Sequence, residues 1–530
     1  MGVLAIDAGT TGVTVLVVSP DGRITARGYQ EFAQHFPRPG WVEHAPEEIW
    51  QACLAATREA LTQVDPSSLT AVGITNQRET VVLWDRETLG SPRRAIVWQD
   101  RRSAELCTRM RDEGHEERVS ALTGLRLDPY FSATKLAWLR ENEPHTWALV
   151  ESGRYAIGTV DSYLVARMTR GTWHVTDVSN ASRTLLFDLE AGDWSDELCE
   201  LFGVPRDALP EVVPSWGVVS DTDPASFCGL QLPIAGIAGD QQSAMFGQTC
   251  FDVGDTKCTY GTGSFILTNT GTEVVRSDSG LLSTAAWRAP DGTTTYALEG
   301  SIFVTGSAVQ WLRDGLQIIG SAAETEPIAR TVPHSDGVVF VPALTGMGAP
   351  HWDPHARGLL IGMHRGTTRA HVVRATLEAI AYVVRDVVET MPPSTCCANC
   401  RPTSSTCRWN VPACWRPPRW GPPSSPVSAP ASGRRSTTCA RPGSSSSGSR
   451  RSPTARRWTR ATPGGARPWS GPRTGPDHGR RATGQSSSRP RSIAQRVSST
   501  RLCICSLRSV FCTWFCTVRW EMNSRSAICL

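Results

Sequence analysis

The sequence predicts an α/β protein whose two domains enclose a cleft. Short apolar segments, such as residues 3–6, 70–75, 95–98, 232–235 and 338–344, are typical of buried strands. They alternate with segments that predict helices, such as residues 46–61 and 369–391. Two turns rich in glycine and threonine, at residues 7–12 and 259–264, each lie between predicted strands about half a protein apart. This spacing indicates a duplicated domain, and ligands favour the cleft between two domains.

Charge divides the chain near residue 391. Residues 1–391 carry 31 Lys and Arg against 48 Asp and Glu, whereas residues 392–530 carry 23 Arg, no Lys and 2 acids. Cysteine follows the same division, since only 6 of the 17 cysteines precede residue 391. We therefore expect an acidic globular body, large enough to bury a substantial core, joined to a basic tail.

No targeting or membrane-spanning segment is expected. The first residues lack the basic region and long apolar core of a signal peptide, and the apolar stretch at residues 510–518 is too short to cross a bilayer. The few scattered cysteines of the body are typical of buried thiols in a reducing compartment. The sequence thus predicts a cytoplasmic protein.

Asp240 is the leading candidate for a catalytic residue. It follows Gly236 and Gly239 after an apolar segment, a pattern that predicts a strand, a tight turn and the start of a helix. A carboxylate held at that junction can take a proton from a bound hydroxyl group. A lone Asp in this position is more often a simple helix cap, so the rest of the chain must decide between the two interpretations.

The first glycine- and threonine-rich turn offers backbone N–H groups and hydroxyls to a phosphate group. Asp7 stands beside this turn, where it could orient Mg²⁺ through water, and no Gly-Lys-Ser/Thr sequence of a Walker loop follows. By itself the pattern fits an ordinary hairpin turn equally well.

Polar side chains directly after a buried strand suit recognition of a polyol. Arg78 can donate a hydrogen bond to one hydroxyl while Glu79 accepts from another, although a surface ion pair of little energetic value would look the same. Tyr130 could offer its hydroxyl to the same substrate. Trp98 could form the wall of a small pocket, although core packing alone would also explain it.

These residues lie in motifs that together identify a family. The chain from Val3 to Met391 resembles the FGGY carbohydrate kinases, and within them the kinases that act on glycerol. The Arg-Glu pair with the downstream Tyr and Trp separates those enzymes from the pentulose kinases of the same fold. The motifs that carry the resemblance are residues 40–44, 73–80, 96–99, 128–132, 180–184, 236–242, 260–263, 310–314 and 348–353.

The resemblance implies an actin/hexokinase-like ATPase fold made of two ribonuclease H-like domains, the second of them truncated. It places a glycerol- and phosphate-binding domain at residues 1–246, a partial nucleotide-side domain at 247–391 and an aberrant tail at 392–530. It also implies a homodimer or homotetramer.

The resemblance further implies an ATP-dependent phosphotransferase that converts glycerol to sn-glycerol 3-phosphate, with Mg²⁺ as cofactor. Asp240 would deprotonate the attacking hydroxyl, and Asp7 would hold Mg²⁺ through water, with Asp240 as a second candidate ligand. This agrees with phosphoryl transfer, which depends on alignment and charge neutralisation. The glycerol site would comprise Arg78, Glu79, Trp98, Tyr130, Asp240, Gln241 and Phe265, and ATP would meet Thr10, Thr11, Gly12, Thr262, Gly306 and Gln310.

The sequence departs from the family at two places. Thr14 replaces an arginine that reaches the nucleotide phosphates in the family, so we expect weaker ATP binding or a local substitute, and no change of substrate. From Pro392 onward the family's adenosine-binding loop and later helix motifs are missing. Residues 417–423 match the family's Thr-Thr-Ala-Leu-Gly-Ala-Ala read one base late, so we expect a frame change, which sequencing the gene would test.

Three functions stay open on the sequence alone. The first is an active kinase for glycerol, and the second is a polyol-binding remnant that lost activity with its altered C-terminus. The third is a nucleic-acid binder that acts through the basic tail, although we expect no dedicated nucleic-acid site. The composition of the tail also predicts disorder, and its cysteines at residues 396–400 lack the paired second cluster of a zinc finger.

Overall fold

A computed structural model of the chain describes residues 2–353 and 355–391, so the predicted disorder and frame change of residues 392–530 lie outside the described residues. The N-terminal lobe (residues 2–247) contains strands β1 Gly2–Ala8, β2 Gly12–Val18, β3 Ile24–Glu31, β4 Glu43–His44, β5 Leu69–Asn76, β6 Val82–Asp85, β7 Ala95–Ile96, β8 Tyr155–Gly158, β9 Val175–Asp177, β10 Phe187–Asp188, β11 Asp193–Trp194, β12 Glu211–Val213, β13 Trp216–Asp221 and β14 Pro233–Gly239. Its α-helices are α1 Pro46–Leu61, α2 Ala104–Asp112, α3 Glu116–Thr123, α4 Ser132–Asn142, α5 Pro144–Glu151, α6 Val160–Met168, α7 Val178–Ala181, α8 Asp196–Phe202 and α9 Asp240–Gly247.

The C-terminal lobe (residues 248–391) is described in the same way. Its strands are β15 Thr256–Tyr260, β16 Ser264–Gly271, β17 Leu282–Arg288, β18 Thr294–Ile302, β19 Val339–Val341 and β20 Leu359–Ile361. Its α-helices are α10 Gly306–Asp314, α11 Thr325–Arg330 and α12 Arg369–Thr390. Both lobes combine strands with helices, which confirms the α/β class.

Six strands form the main sheet of the N-terminal lobe, in the order β13-β14-β5-β1-β2-β3. β1, β2 and β3 pair antiparallel, whereas β14, β5 and β1 run parallel. Leu4, Ile6, Val13 and Val15 are fully buried, which explains why these apolar segments form strands. The three parallel strands end at one edge of the sheet, where ligands of α/β proteins bind.

Four strands form the main sheet of the C-terminal lobe, in the order β15-β16-β18-β17, with antiparallel pairing throughout. A short turn at residues 261–263 joins β15 to β16, just as residues 9–11 join β1 to β2. Both predicted hairpins with glycine- and threonine-rich turns are therefore confirmed.

Helix α1 confirms the prediction for this segment. It begins at Pro46, which fits the first turn because proline lacks a backbone N–H. Glu47 and Glu48 lie in its first turn and Arg58 in its last, so these charges complement the helix dipole. Helix α12 matches the predicted segment as well, and it buries Val373, Leu377 and Ile380 among other residues.

Three details differ from the sequence-based expectations. The strand predicted at residues 95–98 ends at Ile96, because the backbone N–H of Trp98 donates to the hydroxyl of Thr80 at 3.2 Å instead of joining a ladder. The strand predicted from residue 338 covers only Val339–Val341. No separate turn precedes Asp240, since β14 continues to Gly239 and α9 begins at the next residue.

One hydrophobic cluster contains residues from both lobes, including Phe131 and Leu136 from one and Ile266 and Leu298 from the other. A second cluster lies within the N-terminal lobe between its main sheet and helices α1 and α6. The lobes therefore share buried surface beside the strand ends. None of the helices in the described residues has the length and apolarity that a membrane span requires.

Candidate functional site

Three parallel strands bring candidate residues to one edge of the N-terminal sheet. Asp7 lies near the end of β1, Arg78 follows β5, and Asp240 follows β14. β5 lies between β1 and β14, so the three carboxyl ends are neighbours. Residues that are far apart in the sequence thus meet because the fold aligns the ends of their strands.

Arg78 is the centre of a group that we call the polyol cluster: Arg78, Glu79, Trp98, Tyr130, Asp240, Gln241 and Phe265. Its Nε lies 3.3 Å from Oδ1 of Asp240, and its Nη2 lies 3.5 Å from the hydroxyl of Tyr130. Its guanidinium carbon is 5.7 Å from the ring centroid of Phe265. Burial alone would lower the pKa of Arg78, but Glu299 and Glu79 outweigh it and raise the pKa above its ordinary value.

Glu79 is buried beside Arg78, so the alternative of a surface ion pair is wrong. Its backbone φ is +61°, in the left-handed region that residues other than glycine seldom adopt. The hydroxyl of Ser132 donates to the carbonyl of Glu79 at 3.1 Å and stabilises this conformation. Backbone strain of this kind is concentrated at functional sites.

Trp98, Tyr130 and Phe265 form an aromatic wall beside Arg78. The ring centroid of Trp98 lies 5.8 Å from that of Tyr130 and 6.1 Å from that of Phe265, with the planes steeply inclined in both pairs. The indole N–H of Trp98 donates to the hydroxyl of Thr10 at 3.0 Å. Trp98 therefore joins the aromatic wall to the first glycine- and threonine-rich turn, which core packing alone does not explain.

Asp240 is the most accessible member of the polyol cluster, with 37% of its side chain exposed. Gly239 occupies the N-cap position of α9, so Asp240 is not the helix cap. Its carboxylate accepts hydrogen bonds from the backbone N–H of Gln241 at 2.7 Å and from the side-chain amide of Gln241 at 3.1 Å. A fixed and partly accessible carboxylate is suited to receive a proton from a bound hydroxyl.

Asp7 and Asp240 are neighbouring carboxylates. Burial, together with repulsion by Asp240, raises the pKa of Asp7 to about 7. The described residues contain no group of three or more side chains that would hold a metal alone. Mg²⁺ in kinases binds through one or two carboxylates and completes its shell with phosphate oxygens and water, so this carboxylate pair fits the predicted metal.

Replacing Asp7 by Asn is expected to stabilise the metal-free protein at pH 8 by about 2–4 kcal/mol. The folded-state pKa of about 7 exceeds the ordinary value of 3.8, so the folded protein retains a proton that the unfolded chain releases. The contribution of Asp7 to the free energy of unfolding of the wild type is therefore highest below pH 3.8 and falls as the pH rises through the folded pKa of about 7. Asp7→Asn does not undergo this loss. Urea unfolding across that range measures the difference.

Asp85→Asn provides the matched control for Asp7→Asn. The hydrogen bond from Arg154 lowers the pKa of Asp85 to about 2, so its variant should lose stability at neutral pH. An Asp7→Asn protein no more stable than wild type at pH 8 would contradict the raised pKa of Asp7.

The first glycine- and threonine-rich turn is closed by a hydrogen bond from the backbone N–H of Gly9 to the carbonyl of Gly12 at 3.0 Å. Thr10 is partly buried and Thr11 is exposed, so the threonine hydroxyls stand at the surface of the turn. Thr14 lies in β2 and is only 6% exposed, because its side chain faces the interior of the lobe.

The second glycine- and threonine-rich turn contacts the beginning of α10. The backbone N–H of Gly306 donates to the carbonyl of Gly261 at 3.0 Å, and that of Ser307 donates to the carbonyl of Thr262 at 3.0 Å. A Cβ atom at Gly306 would lie 2.4 Å from the Gly261 oxygen, so only glycine fits. Gln310 is exposed on the same helix.

Two buried charged residues that the sequence analysis did not assign complete the cluster. Glu299 of β18 and Arg183, which follows α7, are both fully buried. Nε of Arg183 donates to Glu79 at 2.8 Å, and Nη2 of Arg183 donates to Glu299 at 3.0 Å. An acid in the middle of an apolar strand is the signal that could have identified Glu299, because a buried charge needs a partner.

Lysine usage is a second signal that the sequence analysis missed. Only 2 of the 54 basic residues are lysines, and both are buried beside the polyol cluster. Lys135 donates to the carbonyls of Pro129, Tyr130 and Phe131 at 2.5–3.1 Å and so fixes the segment that carries Tyr130. A compact ammonium can make such contacts where a planar guanidinium cannot.

Lys257 is the second buried lysine, and it fixes Gln241. Its ammonium donates to the side-chain oxygen of Gln241 and, at 3.0 Å, to the hydroxyl of Thr259. Burial lowers the pKa of Lys257 to about 8. The orientation of Gln241 next to Asp240 therefore depends on an amine that titrates close to neutral pH.

Lys257→Met is expected to raise the KM for the polyol substrate roughly 10-fold, because Gln241 loses a charged donor. In the wild type, this KM should also rise as the pH passes through about 8 and Lys257 loses its proton. The variant should lack that step. Steady-state kinetics between neutral and alkaline pH measure both effects, and an identical pH profile in the two proteins would contradict this role of Lys257.

Both lobes match domains of one protein family. The N-terminal domain of the FGGY family of carbohydrate kinases matches residues 2–247, and the C-terminal domain of the same family matches residues 256–401. Glycerol kinase 2 of Thermotoga maritima is 51% identical over 391 residues, which cover 73% of this chain and 78% of the relative. The glycerol kinase of Alcanivorax borkumensis is 53% identical over the same length and the same shares of both chains.

Solved structures resemble the same part of the chain. The crystal structure of Plasmodium falciparum glycerol kinase with ADP has a TM-score of 0.67 and 37% identity, and the match covers 73% of this chain and 78% of that one. A ligand-bound xylulose kinase from Lactobacillus acidophilus has a TM-score of 0.65 and 20% identity over the same shares. At that identity, the second similarity concerns the fold alone.

Proposed function

Since the chain belongs to the FGGY family of carbohydrate kinases, we propose that it transfers the γ-phosphoryl group of ATP to glycerol and forms sn-glycerol 3-phosphate and ADP. The solved relatives confirm the actin/hexokinase-like ATPase fold that the sequence predicts. Relatives about half identical to this chain are glycerol kinases, and one solved relative contains ADP, which supports ATP as the donor.

The observation that carries the proposal is the convergence of Arg78, Glu79, Tyr130 and Asp240 next to an aromatic wall. Glycerol presents three hydroxyls on a short carbon chain. Arg78 and Tyr130 are donors to such hydroxyls, whereas buried Glu79 is an acceptor. Trp98, the fifth contributor, offers an apolar surface to the carbon chain.

Asp240 acts in this proposal as the general base. It takes the proton of the glycerol hydroxyl as the oxygen forms a bond to the γ-phosphorus and the bond from that phosphorus to the ADP oxygen breaks. Arg78 stands 3.3 Å from the carboxylate and holds it in place. Gln241 binds both the carboxylate and, as a glycerol ligand, the substrate.

The two glycine- and threonine-rich turns, residues 7–12 and 259–264, bind the phosphates of ATP from opposite lobes in this proposal. Backbone N–H groups and hydroxyls of Thr10, Thr11 and Gly12 meet the phosphates on one side, and Thr262 meets them on the other. Gly306 and Gln310, both on α10, lie next to the nucleotide.

Mg²⁺ would be held by Asp7 through water, with Asp240 as a second candidate ligand. When bound, the ion would neutralise charge on the phosphoryl oxygens. Burial, and to a smaller extent repulsion by Asp240, raises the pKa of Asp7, and a bound cation would relieve that repulsion, which supports this assignment.

The alternatives that the sequence left open have less support. The matched relatives favour neither a polyol-binding remnant nor a nucleic-acid binder. We also propose a cytoplasmic location and a homodimer or homotetramer. The six cysteines among the described residues are free thiols, which agrees with a reducing compartment.

A coupled assay of ADP release by the purified full-length chain tests the proposed function. Glycerol should support turnover, whereas xylulose, the acceptor that the name of a structural neighbour implies for that neighbour, should not. Release that is independent of glycerol, or equal with both acceptors, would contradict the proposal.

A further inference from the structure

Glu299 lies on β18 of the C-terminal lobe, yet its carboxylate reaches the polyol cluster of the N-terminal lobe. Nη1 of Arg78 donates to Oε2 of Glu299 at 2.6 Å, and Nη2 donates to Oε1 at 3.1 Å. Two parallel hydrogen bonds between a guanidinium and a carboxylate fix the plane as well as the position of the guanidinium. Nη1 also donates to the side-chain oxygen of Gln242 at 3.2 Å, but Glu299 binds both terminal nitrogens, so a residue of the opposite lobe fixes the plane of the guanidinium.

The contact leaves one edge of the Arg78 guanidinium directed at the proposed substrate position. Its Nε lies 3.3 Å from Asp240 and 3.9 Å from Glu79, while Nη2 lies 3.5 Å from the hydroxyl of Tyr130. Because both terminal nitrogens are held by Glu299, rotation of the guanidinium would break two charged hydrogen bonds together. The donor that faces glycerol is thus held in one orientation.

Arg183 fixes the other side of Glu299. Nη2 of Arg183 donates to Oε1 of Glu299 at 3.0 Å, and Nε donates to Glu79 at 2.8 Å. Arg78, Glu299, Arg183 and Glu79 thus form a chain of alternating charges, and none of their side chains is more than 2% exposed. Burial would raise the pKa of Glu299, but Arg183 and Arg78 outweigh it and bring the pKa to about 2.

We propose that Glu299 is a positioning residue for the polyol substrate, since it orients Arg78 from the opposite lobe, and that Arg183 fixes Glu299 and Glu79 relative to each other. This inference rests on the proposed function and names how its glycerol site is held. It has a structural consequence, because Glu299 is part of β18. The glycerol site is complete only while β18 stays in contact with the N-terminal lobe.

Glu299→Gln in the full-length chain tests the inference. Glutamine keeps the shape of the side chain but replaces one acceptor oxygen by a donor, so it cannot accept from both nitrogens of Arg78. The KM for glycerol should rise roughly 10- to 100-fold, while the KM for ATP stays within about 2-fold of wild type. A fold defect alone would not produce this split between the two substrates. An unchanged KM for glycerol would overturn the inference.

Two further variants separate positioning from general destabilisation. Glu43→Gln removes a buried acid that accepts from Arg102 at 2.8 Å, away from the polyol cluster, and should lower the melting temperature without changing the KM for glycerol. Ser301→Ala removes a hydrogen bond of 2.8 Å to Glu299 and should raise that KM roughly 3-fold even if Glu299→Gln fails to fold. A wild-type KM in Ser301→Ala, or a raised KM in Glu43→Gln, would overturn the inference.

Failure of the inference is distinguishable from failure of the proposed function. A wild-type chain that phosphorylates glycerol, with variants of equal KM, would leave the function intact and remove the positioning role of Glu299. A wild-type chain that neither binds glycerol in calorimetry nor phosphorylates it would overturn the function, and with it the inference.

Discussion

Asp240→Asn is expected to lower the turnover of glycerol by roughly 10²–10⁴-fold while glycerol still binds. Asparagine keeps the size of the side chain and one oxygen, which can still accept the hydrogen bond from Gln241. It cannot accept a proton at neutral pH, so the attacking hydroxyl stays protonated. The loss should therefore fall on kcat, because binding depends mainly on Arg78, Glu79 and Tyr130.

Coupled kinetics give kcat for Asp240→Asn, and calorimetry gives its affinity for glycerol. Asp291→Asn, at the exposed turn between β17 and β18, is a matched control and should retain wild-type turnover. Asp240→Asn also removes the charge that repels Asp7, so the pKa of Asp7 should fall in that variant. A kcat within 10-fold of the wild type would exclude Asp240 as the base.

Arg78→Met should abolish measurable glycerol binding and lower the free energy of unfolding by about 3–5 kcal/mol. Arg78 is 2% exposed and lies among Glu79, Asp240 and Glu299. Methionine fills much of the same volume but donates no hydrogen bond. Arg183 would then be the remaining arginine partner of both buried glutamates, so one negative charge would stay uncompensated.

Urea unfolding and calorimetry together measure the effects of Arg78→Met. Arg102→Met serves as control, because Arg102 is also buried, forms ion pairs of 2.8 Å with Asp100 and Glu43, and lies outside the polyol cluster. It should lose stability to a similar extent yet bind glycerol as the wild type does once folded. Wild-type glycerol affinity in Arg78→Met would refute the assigned role of Arg78.

The residues at strand ends could be predicted from the sequence. Arg78 follows a recognisable strand, and Asp240 opens a helix after another, so their local patterns indicate both their elements and their shared edge. Tyr130 and Trp98 are candidates from their positions, and the family motifs favour a role in the site over core packing alone. The structure brings all four together.

Other contacts could not be read from local patterns. Glu299 lies 221 residues from Arg78 along the chain, and only the packing of two lobes brings the two together. Arg183 belongs to a recognised motif, but its side-chain partners depend on the same packing. The strand at Trp98 was predicted too long, since the side chain of Thr80 rather than a neighbouring strand takes its backbone N–H. In all three cases the outcome depends on tertiary packing, which local sequence patterns do not determine.

A crystal structure of the full-length chain with glycerol and ADP would test the central claim most directly. We predict one glycerol hydroxyl within about 3 Å of the Asp240 carboxylate and others in hydrogen-bond contact with Arg78 and Glu79, with the carbon chain against Trp98. Glycerol bound outside hydrogen-bond reach of Asp240, or absent from the polyol cluster at saturating concentration, would contradict the account.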